Sequence, residues 1–209
     1  MIKVCIADNQ PIVHFGIKSY FNNNKDISIV GNAENYEEVQ ELFKGKPFDI
    51  LVIDLELEGL VSINFVKQMI KDFPKVKIMI YSNLSEQIYT PNAIKAGVAA
   101  YVHKNSSLED LEATIRKVSE GEIIFSEDVK KKLALIAKQN KSERLYRKLS
   151  SREIEVLRYL SDGKKNNEIS KILGLNEKTI STYKLRLLTK LNVTNLVDLV
   201  NKAKTLEIV

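Results

Sequence analysis

Over the first 120 residues, short apolar runs alternate with segments whose apolar positions recur every three or four residues. The runs are Ile2–Ala7, Ile27–Val30, Ile50–Asp54, Val76–Tyr81 and Ala99–His103. They are mostly rich in Val, Ile and Leu, as expected of strands covered on both faces. Helical periodicity lies between them, near 11–22, 36–44, 61–73, 86–96 and 107–120. Pro11 and Pro91 suit helix starts, Gly97 suits a helix end, and Ser106 with Glu109 has the spacing of a capping box. Five strands and five helices in strict alternation predict an α/β, doubly wound, five-stranded parallel sheet. Such sheets bind ligands at the carboxyl ends of their strands.

From residue 149 the pattern is helical only. Ser150 and Glu153 make a capping box ahead of Ile154, Val156, Leu157 and Leu160, and Gly163 ends that helix. Asn167–Leu173 reads as a short helix, Gly174-Leu175-Asn176 as a turn, and Glu177 to Leu191 as a longer basic helix. A fourth runs from Asn195 to about Thr205. A short helix, a tight turn and a longer basic helix are the parts of a helix-turn-helix. Between the halves lie Lys130-Lys131-Lys132, a polar stretch Lys138–Arg147, and a possible short helix over Ser126–Ala137. The expected organisation is an α/β domain over 1–121, a partly helical linker over 122–148, and an all-α four-helix domain over 149–209.

Composition narrows the function. Apolar residues make up 44% of the 209, which suits a globular protein. No apolar run approaches the roughly 20 residues of a membrane span. The chain opens on a strand-like pattern rather than a secretory leader, so we expect a cytoplasmic protein with no membrane partner. Cys5 is the single cysteine and reads as a small buried hydrophobe; the only histidines are His14 and His103, too few for a histidine metal site. His14 is expected to be structural and without an evident partner, and His103 to point away from the face of Lys104. Charge is divided unevenly: residues 1–120 carry a net −3 and residues 121–209 a net +8. A polyanionic partner is therefore expected for the second half only.

Two carboxylates, Asp8 and Asp54, close the first and third strand patterns. In a parallel doubly wound sheet those ends are neighbours, and their oxygens suit a hard cation such as Mg²⁺. Asp54 could then attack phosphorus as a carboxylate nucleophile. Ser82 ends the fourth strand pattern and Lys104 follows the fifth, a hydroxyl and an ammonium suited to phosphoryl oxygens.

Four segments, Ile6-Ala7-Asp8-Asn9-Gln10-Pro11, Val52-Ile53-Asp54-Leu55, Tyr81-Ser82 and Ala96-Gly97 through Tyr101-Val102-His103-Lys104, resemble the receiver domain of two-component response regulators, whose fold is flavodoxin-like. The resemblance implies phosphorylation of Asp54 by a sensor histidine kinase. It implies Mg²⁺ held by Asp8, Asp54 and the Glu56 main-chain carbonyl, and a switch through Ser82, Tyr101 and Lys104. This chain departs from the family pattern at Asn9, where a second acid is usual and where the amide oxygen would be a weak ligand. It departs again at Leu57-Glu58 and Asn83. These departures leave open an atypical regulator whose degenerate pocket ignores phosphate. An aspartyl phosphohydrolase of the haloacid dehalogenase type would need an acidic Asp where Glu56 stands.

In the second half, Leu149-Ser150-Ser151-Arg152-Glu153, Val156-Leu157, Gly163, Asn166, Glu168-Ile169, Leu173, Lys178-Thr179-Ile180 and Lys190-Leu191 resemble the LuxR-type helix-turn-helix of the NarL/FixJ family. Ile180, Leu187 and Leu191 make a core-facing stripe on the 177–191 helix. The resemblance implies that this helix enters the major groove of double-stranded DNA, with Ser181, Thr182 and Leu185 reading bases. Lys178, Thr179, Lys184, Arg186 and Lys190 would contact phosphates. Tyr183 stands where the family often has His. The last helix would supply a homodimer seam through Leu196, Leu199 and Val200. The expected whole is a transcription factor rather than an enzyme, gated by phosphorylation at Asp54.

Overall fold

A computed structural model of the chain describes residues 1–60, 63–126, 149–205 and 208. The chain divides into two units, Met1–Lys131 and Lys132–Val209, each taken here by itself. Most of the expected helix over 126–137 lies outside the described residues.

In the first unit, β1 (Ile2–Ala7), α1 (Pro11–Phe21), β2 (Ile27–Ala33), α2 (Tyr36–Lys44), β3 (Ile50–Ile53), α3 (Ile63–Asp72), β4 (Lys77–Ser82), α4 (Glu86–Ala96), β5 (Ala100–His103) and α5 (Leu108–Ser119) follow in turn. The strands form one parallel sheet in the order β2-β1-β3-β4-β5. Side chains alternate across it. One face, with Val4, Ile6, Ile50, Val52, Met79 and Val102, packs on Ile17 and Phe21 of α1 and on Leu111, Ile115 and Val118 of α5. The alternate residues Cys5, Leu51, Ile53, Ile78 and Ile80 are buried as well, so both faces are covered and the strands lack polar alternation.

Local chemistry sets the element ends, with two departures from expectation. The α5 capping box is Ser107 with Asp110, one residue beyond the expected pair: the Asp110 N–H donates to Ser107 Oγ and the Ser107 N–H to Asp110 Oδ2. Pro91 lies inside α4 rather than at its start, because the helix already begins at Glu86 behind Ser85. A proline there forfeits one helical hydrogen bond. Gly97 does end α4, in the left-handed region at φ 94°.

Residues after α5 also join the sheet of the first unit. Ile124 bridges in parallel to Ala100, with its N–H donating to Ala99 O at 2.8 Å, and Phe125 is buried.

In the second unit, α6 (Ser151–Ser161), α7 (Asn166–Leu173), α8 (Glu177–Leu191) and α9 (Leu196–Thr205) are the helices among the described residues. Ser150 and Glu153 form the expected capping box. Gly174 ends α7 at φ 63°, and Asn176 caps α8 by accepting from the Thr179 N–H at 2.7 Å. Ile180, Leu187 and Leu191 are buried, as are Val156, Leu157, Leu160, Ile169, Leu173, Leu199 and Ala203.

Pairing of β1 with β2 shifts register between Val4 and Cys5, which leaves Val30 as the extra residue of a bulge. Gly31 follows it against Cys5 and Leu42. A methyl group there would lie 2.8 Å from Leu42 Cδ2 and 2.9 Å from Cys5 Sγ. Gly31→Ala should therefore cost about 1–3 kcal/mol through overpacking, read as a lower urea midpoint of the full chain.

Candidate phosphoryl-acceptor pocket and DNA-binding helix

The strand register assembles the pocket. Ala7 lies opposite Ile53, Ile53 opposite Ile80, and Ser82 opposite His103. Asp8 and Asp54 therefore leave adjacent strands at one level, and the Asp54 N–H donates to Ala7 O at 2.9 Å. Lys104 is held beside β4 by its own N–H, which donates to Ser82 O at 3.0 Å.

The side chains converge. Ser82 Oγ donates to Asp54 Oδ1 at 2.6 Å, and the Glu56 N–H reaches the same oxygen at 3.1 Å. Lys104 Nζ donates to Asp54 Oδ2 at 2.6 Å and lies 2.7 Å from Asp8 Oδ2. The second contact is close but too poorly aligned for a hydrogen bond, so buried Asp8 Oδ2 is held by charge alone. Asp8 Oδ1 accepts from the Gln10 N–H at 2.8 Å. Both carboxylates are at most 2% exposed and the Lys104 side chain is 6% exposed. Burial alone would lower the Lys104 pKa, but the hydrogen bond to Asp54 and the charges of Asp54 and Asp8 outweigh it and hold the ammonium above its usual range.

Tyr101 is buried, and burial pushes its phenol far up. Its hydroxyl donates to Leu84 O at 2.8 Å, and the Leu84 N–H lies 3.4 Å from Ser82 Oγ. Asn9, Glu56, Glu58 and Asn83 are exposed. The Glu58 carbonyl accepts from the Tyr36 N–H, and the Asn83 carbonyl faces His103.

Two partners were not foreseen. His14 Nε2 lies 2.6 Å from the Asp8 carbonyl oxygen, so that nitrogen must carry the proton. His103 Nε2 lies 3.0 Å from Asn83 O. The proximity of position 14 to Asp8 follows from α1 turning back over the end of β1, which periodicity alone does not reveal.

The donor set suits a hard divalent cation: two buried carboxylates at one sheet edge, one of whose oxygens lacks a hydrogen bond. No group of three or more His, Cys, Asp or Glu that could hold a metal occurs among the described residues, so any further ligand would be a main-chain, amide or water oxygen.

On α8, Lys178, Thr182, Leu185 and Arg186 are exposed, Leu185 by 65%. Ser181 and Lys184 are half-buried, and Ser181 Oγ accepts from Asn166 Nδ2 at 3.1 Å, joining α8 to α7. The Thr179 hydroxyl is bonded to the capping Asn176 at 2.8 Å. Arg186 lies 5.9 Å from the Tyr183 ring centroid, within cation–π range.

Two of the expected site residues have partners or burial within the unit itself. Lys190, expected at a phosphate, donates to Glu153 Oε2 at 2.7 Å. Glu153 is 2% exposed, and a buried carboxylate needs such a cation; the same oxygen also accepts from the Ser150 N–H and Oγ. Leu199, expected in a dimer seam, is fully buried in its own unit, whereas Val197 is 69% exposed and Leu196 and Val200 are half-buried.

A parallel sheet in this order, with an acid pair, a hydroxyl and a lysine at its carboxyl edge, joined to a helix-turn-helix, defines a class of regulatory protein. Residues 4–116 match the family described as "Response regulator receiver domain", and residues 147–203 match "Bacterial regulatory proteins, luxR family". The chain belongs to the response regulators that join a receiver domain to a LuxR-type helix-turn-helix, DNA-binding transcription regulators of two-component systems rather than enzymes. It is 32% identical over 193 residues to "Response regulator protein VraR" of Staphylococcus aureus strain Mu3, covering 92% of this chain and 91% of that protein. Solved structures of RcsB from Salmonella typhimurium are similar too. One has 26% identity and a TM-score of 0.80 over 98% of this chain and 97% of the other. Another, bound to promoter P1flhDC in the presence of phosphomimetic BeF3−, has 26% identity and a TM-score of 0.78 over 98% of both. A further solved structure, of two RcsB dimers bound to two parallel DNAs, has 26% identity and a TM-score of 0.70 over 96% of this chain and 97% of the other. No helix among the described residues is long and apolar enough to cross a membrane.

The Glu153 carboxyl is held below its ordinary range: burial opposes this, but the Lys190 and Ser150 hydrogen bonds prevail. A carboxylate whose folded pKa is depressed contributes stability above its unfolded value, lost as pH falls through the folded one. Glu153→Gln should thus cost about 1–3 kcal/mol at pH 7, shrinking as pH falls below the ordinary Glu range. Urea titrations of full-length wild type and variant at pH 7 and in acid check both parts.

Proposed function

We propose that Asp54 is the phosphoryl acceptor of this regulator and that its modification gates DNA binding by α8. The carrying observation is the convergence of Ser82 Oγ and Lys104 Nζ on the two oxygens of one buried carboxylate, each at 2.6 Å. A sensor histidine kinase, expected from the receiver domain, is the natural donor. An Asp54 oxygen bonds to phosphorus as the donor's P–N bond breaks, and the electron pair leaves on the histidine nitrogen, which takes a proton from solvent. Asp8, Asp54 and the Glu56 carbonyl would hold Mg²⁺, with Asn9 a weak neutral ligand, and the ion would screen charge on the incoming phosphoryl oxygens.

In the unmodified pocket, the single charge of Lys104 is shared between both carboxylates. A phosphoryl group adds about −1.5 to −2 charges and gives Lys104 and Ser82 new acceptors. Ser82 moving towards it would release its contact with the Leu84 N–H, and Tyr101, bonded to Leu84 O, is placed to follow. Such a local charge change can bias a bistable element.

On DNA, Lys178, Lys184 and Arg186 are the phosphate contacts this reading favours, with Thr182, Leu185 and Ser181 at base edges. Thr179 and Lys190 serve chiefly to build the helix. RcsB forms dimers on DNA; a homodimer here would use Val197 with Leu196 and Val200. The working compartment is the cytoplasm, and the domain limits we adopt are 1–126 and 149–209.

Two experiments test this. Incubation of the full chain with a small acyl phosphate and Mg²⁺ should label wild type and leave Asp54→Ala unlabelled. It should also shift oligomeric state or affinity for duplex DNA; labelling elsewhere, or no shift on full labelling, sinks the gating. On DNA, Lys178→Ala should lower affinity similarly on all sequences and reduce the salt slope by about 0.9. Leu185→Ala should instead change sequence preference at nearly constant salt slope, both read by fluorescence anisotropy across a salt series.

A further inference from the structure

His103 is the last residue of β5 and lies directly before Lys104. Its Nδ1 accepts from the Asn105 N–H at 3.1 Å, and its Nε2 lies 3.0 Å from the Asn83 carbonyl oxygen. A main-chain N–H can only donate and a main-chain carbonyl can only accept. Nδ1 therefore carries no proton and Nε2 carries one. The two partners fix one neutral tautomer.

The partners' positions matter. Asn83 directly follows Ser82, while His103 and Asn105 flank Lys104. Strand pairing between β4 and β5 ends at Ser82 and His103. Beyond that level the imidazole joins the β4–α4 connection to the β5–α5 connection. The first connection begins directly after Ser82 and the second begins with Lys104, the two residues whose side chains hold the two oxygens of Asp54. The ring is half-buried and, among the described residues, bonds to main chain, so it acts on the pocket through the backbone.

We infer that His103 is a positioning residue for phosphoryl acceptance at Asp54, a clasp that sets the separation of Ser82 from Lys104. The inference rests on the phosphorylation reading above. Ser82 Oγ and Lys104 Nζ must both address the same small group, and displacement of positioning atoms by about 1 Å can slow a reaction about a hundredfold. Release of one half-exposed clasp should shift the loops less than that, and we expect labelling of Asp54 to slow about three- to tenfold.

Three variants of the full chain separate the two bonds. His103→Leu removes both. His103→Asn keeps an oxygen able to accept from the N–H two residues on but is too short to reach Asn83. His103→Gln keeps a donor at the reach of Nε2 and gives up the local bond. Labelling rates with a small acyl phosphate and Mg²⁺ are compared with thermal midpoints and with exchange of the Asn105 amide. His103→Leu and His103→Asn should both slow labelling about three- to tenfold, with Asn105 protected in the second. His103→Gln should recover at least half the wild-type rate. A purely structural residue would make rates follow midpoints rather than divide Asn from Gln. Wild-type labelling in His103→Leu, or equal rates in His103→Asn and His103→Gln, would overturn the positioning role alone. An unlabelled wild-type chain would overturn the phosphorylation reading and this role with it.

Discussion

Two buried carboxylates at one edge of a sheet repel each other, and a cation must lie between them for the edge to form. Lys104 provides it, 2.6 Å from Asp54 and 2.7 Å from Asp8. Removing one member of such a buried set leaves uncompensated charge at a cost of about 3–5 kcal/mol. The arrangement is stable but can be exchanged, because a divalent cation can take over part of what Lys104 neutralises and a doubly charged phosphoryl group can draw Lys104 to itself. Its position in turn rests on register: the Lys104 N–H is bonded to Ser82 O, and the Asp54 N–H to Ala7 O. The parallel ladder is thus the scaffold of the charge balance.

A similar constraint acts in the second unit. Glu153 is spent at the start of α6, capping Ser150, and its remaining charge is met by Lys190 near the end of α8. One carboxylate fixes a helix start and the placement of the longest helix among the described residues of its unit. Gly174 and Asn176 set the turn between α7 and α8, and Ser181 with Asn166 adds a polar tie between them. The exposed residues of α8 include Lys178, Thr182, Leu185 and Arg186.

Much of this was legible before any coordinates. The strand runs, helix periods and the helix-turn-helix were readable because each element's buried face recurs with its own period. Asp8, Asp54, Ser82 and Lys104 were readable as a set because parallel strands must end at one edge. The errors have physical causes. Ser106 and Ser107 are chemically equivalent candidates, and only the path of the chain into α5 selects Ser107. Pro91 looks like a helix start until Ser85 and Glu86 are seen to begin the helix earlier. The Lys190 contact with buried Glu153, by contrast, joins residues distant in sequence, and no local pattern shows it.

By itself, then, the sequence determined the alternation of elements, the two-part organisation, the acidic edge and the basic helix, since these depend on periodicity and on residue type at element ends. Tertiary structure decided which charges are spent inward, where Leu199 points, and what the two histidines hold. Those outcomes depend on the distance between residues far apart in sequence. His103 shows the difference: its place beside Lys104 is plain in the sequence, but its bond to Asn83, twenty residues earlier, exists only because β4 and β5 lie side by side.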